Sequence, residues 1–550
     1  MKSIMKRITG QIVDVRNRKI FPGEITIHSG KIQKVRKIPA SSANESYILP
    51  GFIDSHIHIE SSMLVPAEFA RWAIPFGTVA TVSDPHEIAN VLGIEGVEYM
   101  IDNGNKVPLK FYFGAPSCVP ATPFETAGAA LPPDEIQKLL ARSEIKYLAE
   151  MMNWPGVLQE DEEVMEKIKI AQQFGKVIDG HAPGLRGEQA KAYHAAGIST
   201  DHECTTLEEA QEKISYGAKI AIREGSAAKN FEALHPLFLS SPEALMFCSD
   251  DKHPDELMKG HINELVQGAL AQGYGLFDVL HAACIHPIDH YDLEVGSLQA
   301  GDPADFICVS NLRDFKVEAT YINGEKVYDG NGVTFDRPAS QKPVKMDAAP
   351  INPKDLRVTA TGTSCRVILP KDGQLITEEL WAPTLTDDNN DAVSQVKADI
   401  LKIVVYNRYS PSPPAVAFIR GFGLKAGALA SSVAHDCHNI IAVGVSDGEI
   451  AHAINKVITM KGGISVATDD KSQGLPLPVA GLMTTAPGDQ VAEQYEQLDQ
   501  QVKALGCRLR APYMTLSFMA LLVIPSLKLS DKGLFDGRAF EFVDLFSNTD

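Results

Sequence analysis

Between residues 51 and 248 the chain carries eight short apolar runs, at 51–55, 78–82, 109–113, 145–151, 176–179, 198–200, 218–222 and 245–248. Each has the length of a strand rather than of a helix. The stretches between them are longer, and those near 190–196, 207–215 and 255–272 read as helices. Strands that alternate with helices predict βα units and a parallel sheet, and eight such units predict a (β/α)8 TIM-type barrel. No other feature of the 550 residues restricts the fold as much.

The flanks have a different texture. Residues 7–49 read as short strands, with hairpin alternation at 24–27 and 31–35 around the turn His28-Ser29-Gly30. Strands return at 306–309, 319–323 and 326–328, the last two joined by Asn323-Gly324. The expectation is an α/β protein of three units: a β-domain split between 1–50 and 296–345, a barrel at 51–295 inserted into it, and an α/β C-terminal domain at 346–550. Residues 336–355, with the run Ala-Pro-Ile-Asn-Pro, read as a linker. In the last unit, strands are expected at 402–406 and 415–419 and a helix at 447–460.

Composition removes several function classes. Acids outnumber Lys and Arg by 70 to 51, a net charge of −19. Such a surface repels phosphate backbones and anionic headgroups, so neither nucleic acid nor membrane is expected as a partner. The eight cysteines are scattered, with no CxxC pair, against both a disulfide framework and a thiolate zinc cluster. The first 21 residues have no apolar core of a secretory signal. The most apolar stretch, 514–527, is interrupted by Ser517, Pro525 and Ser526 and falls short of the ~20 residues that span a bilayer. A soluble, reduced, cytoplasmic protein is expected.

Chemistry concentrates at the strand ends. His56 and His58 lie in Asp54-Ser-His-Ile-His58, where residues i and i+2 of an extended chain face the same side. His181 follows the fifth run, His202 the sixth and Asp250 the eighth. The C-terminal mouth of a barrel is where active sites are built. Four imidazoles and a carboxylate there suit a first-row divalent metal.

This pattern resembles the amidohydrolase superfamily: HxH after strand one, His after strands five and six, and Asp after strand eight, with a split β-sandwich beside the barrel. In binuclear members a carboxylate or a carboxylated lysine after strand four bridges two ions. Glu150, in Ala149-Glu-Met-Met-Asn153, is the natural bridge, and Lys146, earlier in the strand, is the rival. Longer motifs resemble the bacterial adenine deaminase family: 51–63 (GFIDSHIHIESSM), Asp84-Pro-His-Glu-Ile88, Leu148-Ala-Glu-Met-Met152, Ile222-Arg-Glu-Gly-Ser-Ala227 and Ser249-Asp-Asp251. The run 423–432, Ala434-His-Asp-Cys-His-Asn439 and Gly462-Gly-Ile464 are similar to that family's C-terminal domain.

The resemblance implies hydrolytic deamination of adenine to hypoxanthine and ammonia, a reaction of purine salvage. It implies a metal set of His56, His58, Glu150, His181, His202 and Asp250, with manganese or ferrous iron favoured and zinc also suited to the donors. A bound divalent ion lowers the pKa of its water to about 7, supplying hydroxide for attack on purine C6. Asp250 is expected to accept the first proton. Glu203 is a candidate for proton delivery to N1, against a solvated loop carboxylate. Asp251 either holds the purine edge or caps a helix starting at Lys252. Glu60, Ser61, His86, Glu87, Arg223 and Glu224 are candidates for substrate binding, with Arg223 equally able to form a structural ion pair. His435-Asp436-Cys437-His438 has the composition of a further metal site, but a satisfied turn or domain contact is the favoured reading, with closure of the barrel mouth the alternative. His194, His235, His253, His261, His281, His286 and His290 are read as ordinary.

Two other chemistries are excluded by motif. No P-C-x-x-C accompanies His58-Ile59-Glu60, so the cytidine-deaminase class is out. No phosphate-binding G-x-x-x-x-G-K-[ST] occurs either. A different amidohydrolase, acting on another aminopurine or a cyclic amide, and a non-catalytic scaffold remain as alternatives. A homodimer or larger assembly is the commoner outcome for soluble enzymes.

Overall fold

The structure, a computed structural model, describes residues 5–226 and 228–548. Ala227, which ends the 222–227 motif, lies outside the described residues.

All eight expected runs lie in or against parallel strands. Phe52–Ile57, Thr78–Ser83, Lys110–Ala115, Ile145–Met151 and Val177–Gly180 form a five-stranded sheet in chain order. Thr200–Asp201, Lys219–Arg223 and Leu245–Cys248 form a three-stranded one. Ser199 N–H donates to Ile178 C=O (2.9 Å), joining the fifth strand to the sixth. His58 N–H donates to Asp250 C=O (3.3 Å) and Asp250 N–H to His56 C=O (3.0 Å), joining the first to the eighth. The eight strands thereby curl into a TIM-type barrel. Every residue of Phe52–Ile57 and Thr78–Ser83 is buried, as required where helices cover one face and barrel side chains fill the other.

The helices outside follow local rules. Asp161 caps Glu162–Gln173 by accepting from Val164 N–H, and Thr206 caps Leu207–Ser215 by accepting from Glu209 N–H. The helix expected over 255–272 is two helices, Pro254–Leu257 and Ile262–Ala271. The break places His261 inside the barrel, its Nε2 2.8 Å from Asp54 Oδ2 and its Nδ1 2.6 Å from Thr78 Oγ1. A continuous helix could not deliver that ring to the strands.

The two terminal halves of the β-domain form one seven-stranded sheet. Its order is Glu325–Tyr328, Val317–Ile322, Phe306–Val309, Tyr47–Pro50, Lys6–Asp14, Lys19–His28, Lys31–Lys37. Residues 336–352 contain no helix or strand, yet they are tied down. Tyr99 Oη donates to Gln341 C=O (2.9 Å), Asn103 Nδ2 to Ser340 Oγ (2.7 Å) and Ala480 N–H to Pro343 C=O (2.7 Å). The expected linker is a strap laid across the barrel onto the last unit.

That last unit is built on a nine-stranded sheet with Asp447–Thr459 packed against it. It meets the barrel through backbone pairing: Val65 N–H to Thr484 C=O (3.2 Å) and Thr484 N–H to Met63 C=O (2.8 Å). Glu68, 1% exposed, accepts from Gly488 N–H (2.8 Å) and Arg337 Nη2 (3.0 Å). One apolar cluster runs without interruption from Phe69 and Tyr147 to Phe518 and Leu529. The apolar stretch at 514–527 is part of it, and among the described residues no helix is long and apolar enough to cross a membrane.

Candidate metal centre

Six side chains converge where the barrel strands end. His56 and His58 leave the first strand on one face, their Nε2 atoms 3.2 Å apart. Glu150 ends the fourth strand and lies between two sets of imidazoles. Its Oε1 is 3.4 Å from His58 Nε2, whereas its Oε2 is 2.8 Å from His181 Nδ1 and 3.1 Å from His202 Nε2. Asp250 Oδ1 is 3.3 Å from His58 Nε2 and 3.8 Å from His56 Nε2. The rings of His56 and His202 stack at 3.9 Å. All six residues are buried.

Backbone geometry serves this convergence. Asp250 adopts φ 53°, in the left-handed region that Asp tolerates better than most residues. Its main chain bridges to the first strand while its carboxylate turns inward. Asp54 holds the same seam: its carboxylate accepts from Ser249 N–H (3.0 Å), from Ser249 Oγ and from His56 N–H (3.3 Å), and faces His261. His261, read as ordinary from the sequence, therefore supports the strand that carries His56 and His58.

The electrostatics are those of a desolvated charge cluster. Burial resists ionisation of Glu150, but His181 and His202 outweigh it and hold the carboxyl well below its usual range. Burial likewise opposes the Asp250 carboxylate, and Arg223 and His58 pull it well below. His202 is driven down by burial and up by Glu150, ending at about 9. His56 is pushed well below its ordinary value by burial, with His202 adding to it.

The other expected residues divide. Glu203 lines the cavity and pairs with Arg223, whose Nη1 contacts both Glu203 Oε1 and Asp250 Oδ2 and whose Nη2 is 3.1 Å from Glu203 Oε2. Arg223 thus makes an ion pair within the site. Asp251 lines the cavity and accepts from Ser61 Oγ. It caps no helix, because the helix that follows starts at Pro254 with His253 at its N-cap. His86 and Glu87 line the cavity. Glu60 accepts from Ile88 N–H (3.1 Å), fixing the first turn of His86–Leu92, and burial raises its carboxyl to about 7. Glu224 faces Lys229 (3.5 Å) and Phe231 N–H (3.4 Å). Neither Glu60 nor Glu224 is among the cavity-lining residues. Lys146 lies early in its strand, 5.9 Å from the Tyr112 ring, and is not part of the cluster.

The cavity is completed by residues the barrel does not own: Leu375, His435, Asp436, Phe518 and Leu521. His435 Nδ1 contacts Glu87 Oε1, and its ring stacks on Phe518 at 4.9 Å. The polar run at 435–438 was the only sequence signal for this. Nothing in the identity of Phe518, Leu521 or Leu375 announces a position at a barrel mouth. Asp84, 3.1 Å from His86 Nδ1, was also missed as a participant, although its motif was visible.

Residues 47–327 match the family model described as amidohydrolase family, and residues 374–541 match that of the adenine deaminase C-terminal domain. The chain is 55% identical to a protein of Salinibacter ruber named adenine deaminase, covering 98% of each. It is 50% identical to one of that name from Methanosarcina mazei, over 99% of this chain and all of that protein. A Borreliella burgdorferi protein of the same name is 46% identical over 98% of this chain and 99% of its own length. With both family models matched and identity sustained from end to end, the chain belongs to the adenine deaminase family of amidohydrolases.

Proposed function

We propose that this protein hydrolyses adenine to hypoxanthine and ammonia, using divalent metal held in the barrel mouth. The observation that carries the metal assignment is Glu150, a buried carboxylate with imidazole nitrogens of His56, His58, His181 and His202 around its two oxygens. The donor set fits such a group. The buried nitrogens His58 Nε2, His181 Nδ1 and His202 Nε2 lie within 3.4 Å of Glu150 oxygens, and six N and O donors suit manganese, iron or zinc. His56, His58, Glu150, His181, His202 and Asp250 would hold two ions. When bound, divalent ions supply Lewis acidity, which makes water a nucleophile near neutral pH.

The chain's own groups handle the protons. Asp250 accepts the proton that the attacking water gives up as its oxygen bonds to C6. Glu203 delivers a proton to ring nitrogen N1 and regains one from the C6 hydroxyl as the carbonyl forms, while the proton taken up by Asp250 leaves with the amine. Arg223 spans both carboxylates and, against burial, draws Asp250 well below the usual carboxylate range. Asp251 presents polar atoms to the edge of the base, with Ser61 orienting it, and His86 stands in the wall beside it. Glu87 belongs to the same wall, while Glu60, Arg223 and Glu224 act by holding loops. Leu375, Phe518 and Leu521 offer an apolar surface suited to an uncharged planar ring. In domain terms, the barrel (51–295) supplies the metal ligands, the split β-domain (1–50 with 296–345) supports it, and residues 346–550 close it.

The test is loss of adenine absorbance with matching ammonia release by the full chain purified from metal-supplemented medium. Turnover of dihydropyrimidines or hydantoins without turnover of adenine would replace this reading by another amidohydrolase activity.

A further inference from the structure

A second cluster of donors lies beside the six described above and is shared between two domains. The barrel contributes His86 and Glu87, from the loop after its second strand, and the C-terminal unit contributes Asp436. His86 Nε2 is 3.4 Å from Glu87 Oε1 and 3.7 Å from Asp436 Oδ1. The three donor atoms lie within 4.8 Å of one another, and all three residues are buried. Two donors held tetrahedrally at about 2.1 Å from one ion are about 3.4 Å apart, so this spacing is that of ligand atoms around a cation.

Three further observations point the same way. His86 turns its other nitrogen, Nδ1, to the Asp84 carboxylate at 3.1 Å. That carboxylate–imidazole arrangement orients a metal-ligating histidine and makes its free nitrogen more basic. Asp436 Oδ2 is buried without a hydrogen-bond partner, and buried carboxylates are otherwise paired or metal-bound. The only positively chargeable groups in ion-pair contact with Glu87 or Asp436, among the described residues, are the imidazoles of His86, His435 and His438.

His435 and His438 have a supporting part. His438 Nδ1 accepts from Ala434 N–H (3.1 Å), which places its proton on Nε2, the atom facing Glu87 Oε2. His435 Nδ1 contacts the other oxygen, Oε1. The Glu87 carboxylate is therefore clamped from the C-terminal side, with its position set by two imidazoles.

We infer that His86, Glu87 and Asp436 form a further divalent-cation site that ties the C-terminal domain to the barrel mouth. It borders the six-residue centre, since His86 Nδ1 lies 3.5 Å from Glu150 Oε1, but its ligand nitrogen is His86 Nε2 and Glu150 is not among its donors. One imidazole and two carboxylates take a first-row divalent ion such as Mn(II), with remaining positions filled by water. The ion cross-links segments that are 350 residues apart in sequence (436 minus 86), and so holds the apolar lid of Leu375, Phe518 and Leu521 over the cavity.

The test counts metal rather than turnover. The full chain is equilibrated with Mn(II), desalted and assayed by atomic emission, beside Asp436→Asn, Glu150→Gln and the double variant. Asp436→Asn should lose about one equivalent per chain relative to wild type, with unchanged far-UV circular dichroism. The double variant should lose about the same amount relative to Glu150→Gln, so the result stands even if the six-residue centre is misassigned. Equal manganese in the paired variants overturns the site. If Asp436→Asn fails to fold, His86→Gln, which removes the ligand nitrogen, is read in the same way.

Discussion

Glu150→Gln is the sharpest test of the six-residue centre. The substitution keeps the shape of the side chain and removes its charge. In the native chain that charge faces His58, His181 and His202 at 3.4, 2.8 and 3.1 Å, with 3% of the side chain exposed. Removing one partner from a buried charge cluster costs about 3–5 kcal/mol. At about 1.4 kcal/mol per tenfold, metal affinity should fall between roughly 100-fold and roughly 4,000-fold. The readouts are metal content after dialysis against micromolar Mn(II), and adenine turnover in the same buffer. The variant should lose most of the metal held by the centre and most of its activity, with circular dichroism unchanged. A variant that keeps its metal and turns over adenine within tenfold of wild type refutes the bridging role. The bridge would then move to Lys146, which lies by the Tyr112 ring, or the site would hold a single ion.

Asp250→Asn should abolish turnover and leave the fold intact, because the amide still fits the Arg223 pocket but accepts no proton; turnover within tenfold of wild type would remove Asp250 from the mechanism. Lys528 gives a pH prediction. Its buried ammonium has only the carbonyls of Leu375 (2.7 Å) and Phe518 (2.8 Å), and burial lowers it from 10.5 to about 7. Between those values the unfolded chain binds a proton that the folded chain does not, so stability rises with pH across that window, by up to about 5 kcal/mol. Urea midpoints at pH 7 and pH 9 should diverge more for wild type than for Lys528→Met; equal pH dependence in the two would show that Lys528 is not the titrating group.

How far the sequence was legible depended on the range of the interaction. Parallel barrel strands are buried on both faces, so they stand out as unbroken apolar runs, and Ile145–Met151 and Leu245–Cys248 were readable to the residue. Local capping is equally visible, as at Thr206. Interactions across the fold leave no such trace. The chain around Gly260 is patterned as helix, yet the attraction of Asp54 and Thr78 for the His261 ring breaks it. Asp251 has the residue type of a helix cap and is taken instead by Ser61. Arg223 was compatible with substrate or with a local acid, and only the fold sets it between Glu203 and Asp250.

By itself, the sequence determined the barrel, the place of the metal ligands at its strand ends and the family to which the chain belongs. Strand burial and i, i+2 geometry are local properties, and the ligands follow their strands. Only the tertiary structure decided what closes the site. Leu375, His435, Asp436 and Phe518 reach it from a domain whose own strands and helices form by local rules that do not mention the barrel. Their arrival depends on the apolar contact between two separately patterned units, and on buried carboxylates at Glu87 and Asp436 that neither unit could satisfy alone.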